Sequence, residues 1–398
     1  MAESQKTIDE TMMGRALELA ARAKGYTSTN PMVGCVITRN NQIIGEGWHK
    51  GTGFDPVQGR HHAEVNALED AKAKGADIKG ATAYVTLEPC NHTGATPPCA
   101  KALYDCGIKR VVYAMADPNK LAAGGADSLR SQGVRAEQGP LLSQAKLLNK
   151  AWLHRIKTGA PFVTAKFAAS LDGKIATACG DSKWITGPAA RRRAHELRHA
   201  CDAILVGAGT IIADNPSLTV RDIENPSNPL RIVLDSKART NPLAKTFSTE
   251  QSGGSLLVTT AGGDPNRLKA FTQQGIETLI LPTDETGRIN LDALLKNLGE
   301  RGLNHLMVEG GSEILGSFFD GNHVNEVWGF IAPVLIGGAG KTPISGQGAQ
   351  SMQDALRLKH IHTELCDQDI LMRAFIPGDF INDLLGIDEE ADQCLQVS

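Results

Sequence analysis

His62-Ala63-Glu64 begins the most informative stretch of this chain, and the stretch ends with Thr86-Leu87-Glu88-Pro89-Cys90-Asn91-His92-Thr93-Gly94-Ala95-Thr96-Pro97-Pro98-Cys99. Zinc prefers imidazole nitrogen and thiolate sulfur as ligands, and a catalytic zinc keeps three protein ligands with water as the fourth. His62, Cys90 and Cys99 supply such a set. Glu64 follows the histidine by two residues and can act as a general acid and base without binding the metal. The stretch therefore predicts a catalytic zinc site with these ligands and with Glu64 as the catalytic residue.

The local patterns place these residues at the ends of helices and of a strand. Residues 63–73 contain no Gly or Pro, which favours a helix that begins just after His62. Residues 82–87 predict a short buried strand shortly before Cys90. Pro97-Pro98-Cys99 is typical of the start of a second helix, whose N-terminus would stabilise a Cys99 thiolate.

Two other interpretations of the cysteines were weighed against catalytic zinc. A structural zinc site needs a fourth protein ligand, and His61 and His92 are nearby candidates. The cysteines can also be two buried free thiols. His-x-Glu followed by Pro-Cys is the signature of zinc-dependent deaminases, in which a metal-activated water attacks an amine-bearing ring carbon. A structural site has no need of Glu64, so the sequence favours the catalytic site.

The composition is typical of a globular protein with two or three domains. The chain has 398 residues, of which 41% are hydrophobic and 21% charged, with a net charge of −3. This balance does not favour binding to nucleic acid or to an anionic membrane. We see no apolar run of membrane-spanning length and no signal peptide at the polar start. The eight cysteines indicate metal binding rather than a disulfide framework, so we expect a cytoplasmic protein.

The order of the patterns predicts two α/β domains and a tail. In the first domain we predict helices over about residues 8–24, 63–73, 99–107, 128–132 and 142–156, and strands over 35–38, 43–49, 82–87 and 110–115. Thr158-Gly159-Ala160-Pro161 predicts a linker. In the second domain we predict strands over 162–167, 203–206, 230–234, 256–259, 278–281 and 305–308, and helices over 189–199, 264–273, 291–302 and 312–320. Residues 378–398 are acidic without Lys or Arg, and we expect a solvated tail with at most one helical turn and no functional site.

Two stretches of the second domain suit a phosphorylated cofactor. Glu309-Gly310-Gly311-Ser312 lies between a predicted strand and a helix, where small residues let a phosphate approach backbone N–H groups. Asp235-Ser236-Lys237-Ala238-Arg239 follows another strand, and its hydroxyl and two cations suit the 2′-phosphate of NADP. Each signal alone is weak, because Gly-Gly turns and surface basic residues are common. No complete Gly-x-Gly-x-x-Gly follows the first strand, so a Rossmann domain is not favoured.

Longer motifs in both halves carry a family resemblance. They are Asn30-Pro31-x-Val33-Gly34, His62-Ala63-Glu64-Val65, Thr86-Leu87-Glu88-Pro89-Cys90-x-His92, Thr96-Pro97-Pro98-Cys99, Ser170-Leu171-Asp172-Gly173, Trp184-Ile185-Thr186-Gly187, Asp202-Ala203-Ile204-Leu205-Val206-Gly207, Asn215-Pro216-x-Leu218-Thr219-x-Arg221 and Val308-Glu309-Gly310-Gly311. Together they resemble the bifunctional riboflavin-biosynthesis deaminase/reductase family, RibD, over about residues 8–376. The step of nine residues from Cys90 to Cys99 differs from the Cys-x-x-Cys of nucleoside and tRNA deaminases.

The resemblance implies an α/β fold and two activities. A cytidine-deaminase-like three-layer α/β/α domain at 1–157 would precede a dihydrofolate-reductase-like α/β domain at 158–377 and the tail at 378–398. The first domain would deaminate 2,5-diamino-6-ribosylamino-4(3H)-pyrimidinone 5′-phosphate with one Zn²⁺ per chain, and the second would reduce the ribosyl chain to ribityl with NADPH. The implied partners are this phosphorylated pyrimidine and further copies of the chain, as a dimer or tetramer, with no nucleic acid and no membrane.

The resemblance also implies the residues of both sites. NADPH would contact Ala168, Trp184, Thr210, Asp214, Ser236, Gly311, Ser312, Glu313, Ile314, Leu315, Gly316 and Ser317. The pyrimidine substrates would contact Asn30, His49 and His92 in the first domain and Ser182, Arg198, Leu218, Arg221 and Glu309 in the second. The two arginines suit a phosphate, because guanidinium offers a planar fork of donors. Lys166 is our candidate for polarising the carbonyl or imine of the sugar, and the alternative is a solvated lysine at a strand end.

The chain departs from the family pattern in three places. Ala95 stands where the family usually has Lys or Arg, which removes one expected phosphate contact. The loop before His62 is longer than usual, and its Arg60 and His61 are candidate substitutes. In addition, Asp214-Asn215-Pro216 replaces the more common Asp-Asp-Pro.

Two rival functions stay open at this level. One is a deaminase whose second domain only binds a nucleotide as a regulator, which only an assay of NADPH oxidation separates from the bifunctional enzyme. The other is a non-enzymatic zinc protein that binds nucleic acid through its Cys/His loops. The near-neutral charge and the lack of a basic stripe in the sequence argue against the second.

Overall fold

The computed structural model describes residues 4–51, 61–93 and 97–386. One compact unit is formed by the residues up to Lys157 together with the segment that begins at Asp383, and the other by Thr158–Asn382. Within the described ranges, each unit is built around one β-sheet, of five strands in the first and nine in the second. None of the helices in the described ranges is long and apolar enough to cross a membrane.

In the part of the chain that the structure describes, the first unit combines a mixed sheet with six helices. The strands are β1 (Gly34–Arg39), β2 (Gln42–Trp48), β3 (Thr82–Val85), β4 (Arg110–Tyr113) and β5 (Arg135–Gln138), in the order β2-β1-β3-β4-β5. The helices are α1 (Gln5–Ala21), α2 (Ala63–Ala73), α3 (Cys99–Asp105), α4 (Gly125–Ser131), α5 (Leu142–Leu148) and α6 (Lys150–Thr158). β1 is antiparallel to β2 and β3, whereas β3, β4 and β5 are parallel.

Successive strand residues pack into two different cores, because side chains alternate across a sheet. Val36, Tyr84 and Val112 pack with residues of α1, α5 and α6. Their strand neighbours, such as Cys35 and Ala83, pack with residues of α2, α3 and α4 instead. The first unit therefore has helices on both faces of its sheet, which is the predicted three-layer arrangement.

Two glycines of β2 let α2 lie directly on the sheet. A Cβ atom on Gly47 would lie 2.3 Å from the backbone nitrogen of Ala67 and 2.5 Å from the carbonyl oxygen of Ala63. A Cβ on Gly45 would lie 2.4 Å from the carbonyl oxygen of Ala67. No side chain fits between the strand and the helix, so the first turn of α2, which follows His62, has a fixed position on β2.

The single helix predicted over residues 142–156 is interrupted at Asn149. This residue is 1% exposed. Its Oδ1 accepts the N–H of Met32 at 2.8 Å, and its Nδ2 donates to the carbonyl of Met32 at 3.0 Å. The amide side chain thus satisfies both backbone groups of a residue 117 positions away, at the junction between α5 and α6.

The second unit contains a larger, mostly parallel sheet. The strands are β6 (Phe162–Ser170), β7 (Ala203–Gly207), β8 (Leu230–Leu234), β9 (Ser255–Thr259), β10 (Glu277–Ile280), β11 (His305–Gly310), β12 (Glu326–Ala332), β13 (Lys359–Cys366) and β14 (Asp369–Phe375), in the order β10-β9-β8-β7-β11-β6-β12-β14-β13. The helices are α7 (Pro188–Ala200), α8 (Ala208–Asp214), α9 (Pro265–Gln273), α10 (Leu291–Glu300) and α11 (Ser312–Asp320), and a further helix, α12 (Asp379–Leu385), begins at the C-terminal end of this unit. All neighbouring strands from β10 to β12 are parallel, and β14 is antiparallel to β12 and β13.

Several elements were not predicted from the sequence. They are β5, β12, β13, β14 and α8. In β13 only Cys366 is buried, so this edge strand lacks the alternation of apolar and polar residues that marks a half-buried strand. The other predicted strands and helices of this unit are present within a few residues of their expected bounds.

The segment after residue 378 is partly folded rather than fully solvated. It begins with α12, in which Ile381 and Leu384 are buried. Asp383 accepts hydrogen bonds from Nζ of Lys146 at 3.1 Å and of Lys157 at 3.5 Å. Burial of these two apolar side chains stabilises the helix. The acidic composition of the segment does not reveal this contribution, so the sequence did not indicate the helix. The rest of the predicted tail, residues 387–398, lies outside the described residues.

Candidate active sites

His62, Cys90 and Cys99 come together in the first unit. Nδ1 of His62 lies 3.2 Å from Sγ of Cys99 and 3.5 Å from Sγ of Cys90. The ligand atoms of the three residues all lie within 4.8 Å of one another. Zn–S and Zn–N bonds of about 2.3 and 2.0 Å place neighbouring ligands of a tetrahedral zinc roughly 3.5–3.8 Å apart. The group therefore fits a zinc ion.

Within the described ranges, no fourth protein ligand belongs to this group. Nδ1 of His61 lies 3.4 Å from Oε2 of Glu69, and His92 is exposed outside the cluster. Three protein ligands with a fourth position open to water are characteristic of a catalytic zinc. The geometry thus favours the catalytic over the structural interpretation.

The two cysteines differ in charge before any metal binds. The N–H of Cys99, the first residue of α3, donates to Sγ of Cys90 at 3.4 Å. Hydrogen bonds from Cys99 and from His62 lower the pKa of Cys90 to about 4, whereas the hydrogen bond to Cys90 and burial raise the pKa of Cys99. We predicted that the helix N-terminus would stabilise a Cys99 thiolate, and the structure directs that N–H group to Cys90 instead. Coordination to zinc deprotonates a thiol, so both sulfurs would be thiolates in the metal-bound site.

Glu64 lies in the first turn of α2 and is 3% exposed. Its carboxyl group interacts with His62, Cys90 and Cys99. Burial raises the pKa of Glu64, and the charge of His62 opposes this shift only in part. A raised pKa lets a carboxyl group take up a proton more readily than an ordinary glutamate does, which suits general acid and base catalysis.

Two further predicted substrate residues lie beside the zinc group. Nδ1 of His49 lies 3.1 Å from the carbonyl of His61, and since a carbonyl only accepts, Nδ1 carries the proton. Burial and the charge of His62 lower the pKa of His49, so the ring is neutral and its Nε2 can accept from Asn30, at 3.4 Å. The rings of His49 and His62 are 5.7 Å apart. Ala95 and Arg60 lie outside the described residues.

Glu88 was not singled out from the sequence although it lies in the zinc motif. Its Oε1 accepts the N–H groups of Gly124 and Ala126 at 3.2 and 3.0 Å, and its Oε2 accepts that of Asp117 at 3.2 Å. These bonds hold the irregular segment between β4 and α4. The same segment contributes to a small buried cluster around Cys90. Glu88 therefore stabilises the segment that packs against one zinc ligand, Cys90. The sequence does not indicate this role, because the N–H donors lie far from Glu88 along the chain.

A second group of charged residues consists of Lys166 and Glu309, on the neighbouring strands β6 and β11, and Arg198 on α7. Nζ of Lys166 donates to Oε1 of Glu309 at 2.9 Å, and Nη2 of Arg198 donates to Oε2 at 2.6 Å. Burial acts to raise the pKa of Glu309, but the charges of Arg198 and Lys166 outweigh it and hold the pKa at about 2. The Lys166 side chain is only 13% exposed, so the alternative of a solvated lysine is wrong.

The two predicted phosphate-binding arginines have different surroundings. Arg198 is buried, and besides its bond to Glu309 it donates through Nη1 to the carbonyl of Thr219 at 2.6 Å. Arg221 is exposed, and Leu218 on the same segment is buried. Both terminal nitrogens of Arg198 are thus engaged inside the unit, which leaves Arg221 better placed to meet a phosphate.

The predicted cofactor residues follow the carboxyl ends of adjacent parallel strands. Ala168 lies near the end of β6, Thr210 and Asp214 in the helix after β7, Ser236 after β8, and residues 311–317 after β11. In parallel α/β sheets, ligands bind at this edge. Trp184 is 70% exposed, with the guanidinium of Arg191 4.6 Å from its ring centroid.

The start of α11 is suited to a phosphate. Gly311 precedes the helix with φ of 81°, and no side chain of the described residues caps it. A Cβ on Gly310 would lie 3.1 Å from Oγ1 of Thr210, so the backbone of β11 and α8 are in close contact there. Uncapped N–H groups at a helix N-terminus bind anions, which fits the phosphates of NADPH. Leu315 and Gly316, in the same predicted run, are buried inside the unit.

Comparison with known proteins follows the division into two units. Residues 6–115 match the family described as cytidine and deoxycytidylate deaminase zinc-binding region, and residues 161–372 match the RibD C-terminal domain. The fold and sites thus define a zinc-dependent deaminase joined to an NADPH-dependent reductase. Riboflavin biosynthesis protein RibD of Actinobacillus pleuropneumoniae is 42% identical over 374 residues, covering 93% of this chain and 96% of its own length. RibD of Escherichia coli (strain K12) is 39% identical over 376 residues, covering 90% and 98%.

Solved structures agree. The Thermotoga maritima diaminohydroxyphosphoribosylaminopyrimidine deaminase/5-amino-6-(5-phosphoribosylamino)uracil reductase superposes with a TM-score of 0.82 at 34% identity, covering 94% of this chain and all of its own. Acinetobacter baumannii RibD has a TM-score of 0.82 at 35% identity, with the same coverage. The chain belongs to the RibD family of bifunctional riboflavin-biosynthesis enzymes, and its cofactors are zinc and NADPH. The predicted family, fold class and cofactors are confirmed.

We predict that the protein carries about one zinc per chain and that a Cys90→Ala, Cys99→Ala double variant carries none, because two of three ligands are removed. Metal analysis by mass spectrometry measures this directly. Cys35→Ala is the matched control, since Cys35 is a buried cysteine of the same unit outside the group. Full zinc content in the double variant would contradict the ligand assignment.

Proposed function

We propose that this chain catalyses two successive steps of riboflavin biosynthesis on one phosphorylated pyrimidine. The unit of residues 1–157 deaminates 2,5-diamino-6-ribosylamino-4(3H)-pyrimidinone 5′-phosphate. The unit of residues 158–377 then reduces the ribosyl side chain, which gives 5-amino-6-(5-phosphoribitylamino)uracil. The observation that carries the proposal is that one chain contains a His/Cys/Cys group with a buried glutamate and a separate buried lysine beside a carboxylate.

In the deaminase, zinc held by His62, Cys90 and Cys99 would supply a bound water with a pKa lowered to about 7. Glu64 accepts a proton on the water side of the site and delivers protons to the ring nitrogen and to the departing ammonia. Its burial supports this role, because a carboxyl group shielded from water has a raised pKa and binds a proton more tightly. His49 and Asn30 offer polar groups beside the metal ligands for the pyrimidine.

In the reductase, NADPH supplies the hydride, and the protein supplies orientation and charge. Glu309 is ionised and holds the ammonium of Lys166 in a fixed position. Lys166 then donates a hydrogen bond to the carbonyl or imine of the ribosyl chain as the hydride arrives. The exposed Arg221 binds the 5′-phosphate. A domain that only bound a nucleotide as a regulator would have no need of this buried group of charges, which argues for catalysis.

We place the enzyme in the cytoplasm. Its cysteine ligands must stay reduced to bind zinc, and a reducing compartment ensures this. No disulfide links the cysteines that the structure describes. The near-neutral charge supports a small-molecule substrate without nucleic acid or membrane as partner.

The copies of the chain assemble into a homo-oligomer, a dimer or tetramer, through the outer edge of the second sheet. Leu365 of β13 pairs with Ile370 of β14, so both side chains lie on one face. They are 74% and 42% exposed, and Ile361 and Met372 are exposed on the same two strands. Exposed apolar side chains grouped on two neighbouring strands favour a protein interface at this edge.

We predict that Glu64→Gln lowers ammonia release by about 10²–10⁴-fold, because the amide cannot transfer a proton. Zinc content should be unchanged, and NADPH oxidation should be retained when 5-amino-6-(5-phosphoribosylamino)uracil is supplied. Glu69→Gln, on the same helix, is the control and should leave ammonia release intact. Near-normal deamination by Glu64→Gln would show that Glu64 is not the proton shuttle.

Lys166→Met should reduce the rate of NADPH oxidation with the deaminated pyrimidine by at least about a hundredfold, because the proton donor is lost. Ammonia release from the first unit serves as the internal control for folding of the chain. Lys269→Met, an exposed lysine of the same unit, should have no effect. A normal rate in Lys166→Met would remove this lysine from the mechanism.

For the assembly, we expect sedimentation velocity to detect a dimer or larger species for the wild type and a monomer for Leu365→Glu, because a buried unpaired charge disfavours association. Leu121→Glu is the control, an exposed leucine of the first unit. A wild-type monomer, or an unchanged oligomer in Leu365→Glu, would argue against this interface.

A further inference from the structure

A short segment between α8 and β8 has no regular secondary structure and contains predicted substrate residues. Leu218 in this segment is buried with φ of 56°, a left-handed conformation that is disfavoured for residues with a Cβ atom. Such a conformation persists only where the surrounding structure holds it. Arg198 donates to the carbonyl of Thr219 at 2.6 Å. Asn228 accepts the N–H of Val220 through Oδ1 at 2.8 Å.

His195 accepts a hydrogen bond from Arg221, which follows Val220 in this segment. The histidine lies on α7 three residues before Arg198, so both side chains are on one face of the helix. Nδ1 of His195 accepts the backbone N–H of Arg221 at 3.3 Å. A backbone N–H only donates, so Nδ1 carries no proton. Burial and the charges of Arg198 and Arg221 lower the pKa of His195 to about 4, which keeps the ring neutral and Nδ1 available as an acceptor.

We propose that His195 is a positioning residue of the reductase, which holds the backbone at Arg221 so that this arginine meets the phosphate of the substrate. The inference rests on the proposed function, in which Arg221 binds that phosphate. α7 supplies both an acceptor and a donor, His195 and Arg198, to one segment. Lys166 and Glu309 lie on strands outside the segment, so loss of the His195 bond weakens substrate binding more than hydride transfer.

His199 provides a comparison on the same helix, one turn later. Its Nδ1 accepts the N–H of Ser227 at 3.1 Å, which is the same kind of bond. Ser227 lies six positions beyond Arg221 and is not among the predicted substrate residues. A general loosening of the connection between α8 and β8 would therefore follow from changes at either histidine, whereas a specific role belongs to His195 alone.

The test compares His195→Leu with His195→Asn. Oδ1 of asparagine occupies about the position of Nδ1 of histidine and can accept the N–H of Arg221. Leucine has about the shape of asparagine but offers no acceptor. The full chain is assayed for NADPH oxidation with 5-amino-6-(5-phosphoribosylamino)uracil, with KM for each substrate and kcat measured separately. KM for NADPH, which binds to the same unit, reports whether the second unit of each variant is folded. His199→Leu and His199→Asn are the matched controls.

For His195→Leu we expect KM for the pyrimidine to rise about tenfold, equivalent to about 1.4 kcal/mol. KM for NADPH and kcat should change little, and His195→Asn should restore the pyrimidine KM. An unchanged pyrimidine KM in His195→Leu overturns the inference, as does an equal rise in His199→Leu or a failure of His195→Asn to restore it. Absence of NADPH oxidation in the wild type would instead overturn the proposed function, and the inference with it.

Discussion

The burial of two glutamates is the constraint around which both sites are built. Removing a carboxylate from water is costly unless nearby charges or hydrogen bonds compensate. At Glu309 two cations, Lys166 and Arg198, outweigh burial and keep the pKa at about 2, so this group is a permanent anion that holds its neighbours in place. At Glu64 burial outweighs the charge of His62 and the hydrogen bonds with Cys99 and the backbone, and the pKa is raised. The opposite shifts suit the two roles that we propose, an anchor at Glu309 and a proton carrier at Glu64.

The two sheets bring distant residues together in different ways. In the first unit, the glycines of β2 let the first turn of α2 rest on the strand, which fixes the direction of His62 and Glu64. In the second unit, the strands from β8 to β6 are parallel and adjacent, so the residues after their carboxyl ends meet at one edge of the sheet. The first site therefore depends on the lack of side chains at Gly45 and Gly47, where α2 contacts β2. The second site depends on the order of the parallel strands in the sheet.

Side chains that bind the backbone stabilise the irregular segments near both sites. Asn149 pairs with both polar backbone groups of Met32, Glu88 accepts three N–H groups near Cys90, and His195 accepts one from the segment between α8 and β8. A buried backbone group without a partner costs free energy, so these side chains replace the hydrogen bonds that a helix or strand would provide. They shape the sites without belonging to the chemistry.

Sequence alone determined the composition of the zinc group, the bounds of α2 and α11 and the division into two α/β domains, because these depend on residue type, spacing and local periodicity. Tertiary structure alone decided the break at Asn149, the buried helix α12, the exposed strands at the edge of the second sheet and the hydrogen bonds of Arg198 inside the second unit. The break at Asn149, the helix α12 and the hydrogen bonds of Arg198 depend on partners far along the chain, such as Glu309, which is 111 residues from Arg198. The strand β13 pairs with its neighbour β14, but its exposed position at the sheet edge removes the apolar alternation that would mark it in the sequence. Local patterns report which residues are apolar or flexible, whereas a hydrogen bond between distant residues exists only once the chain has folded.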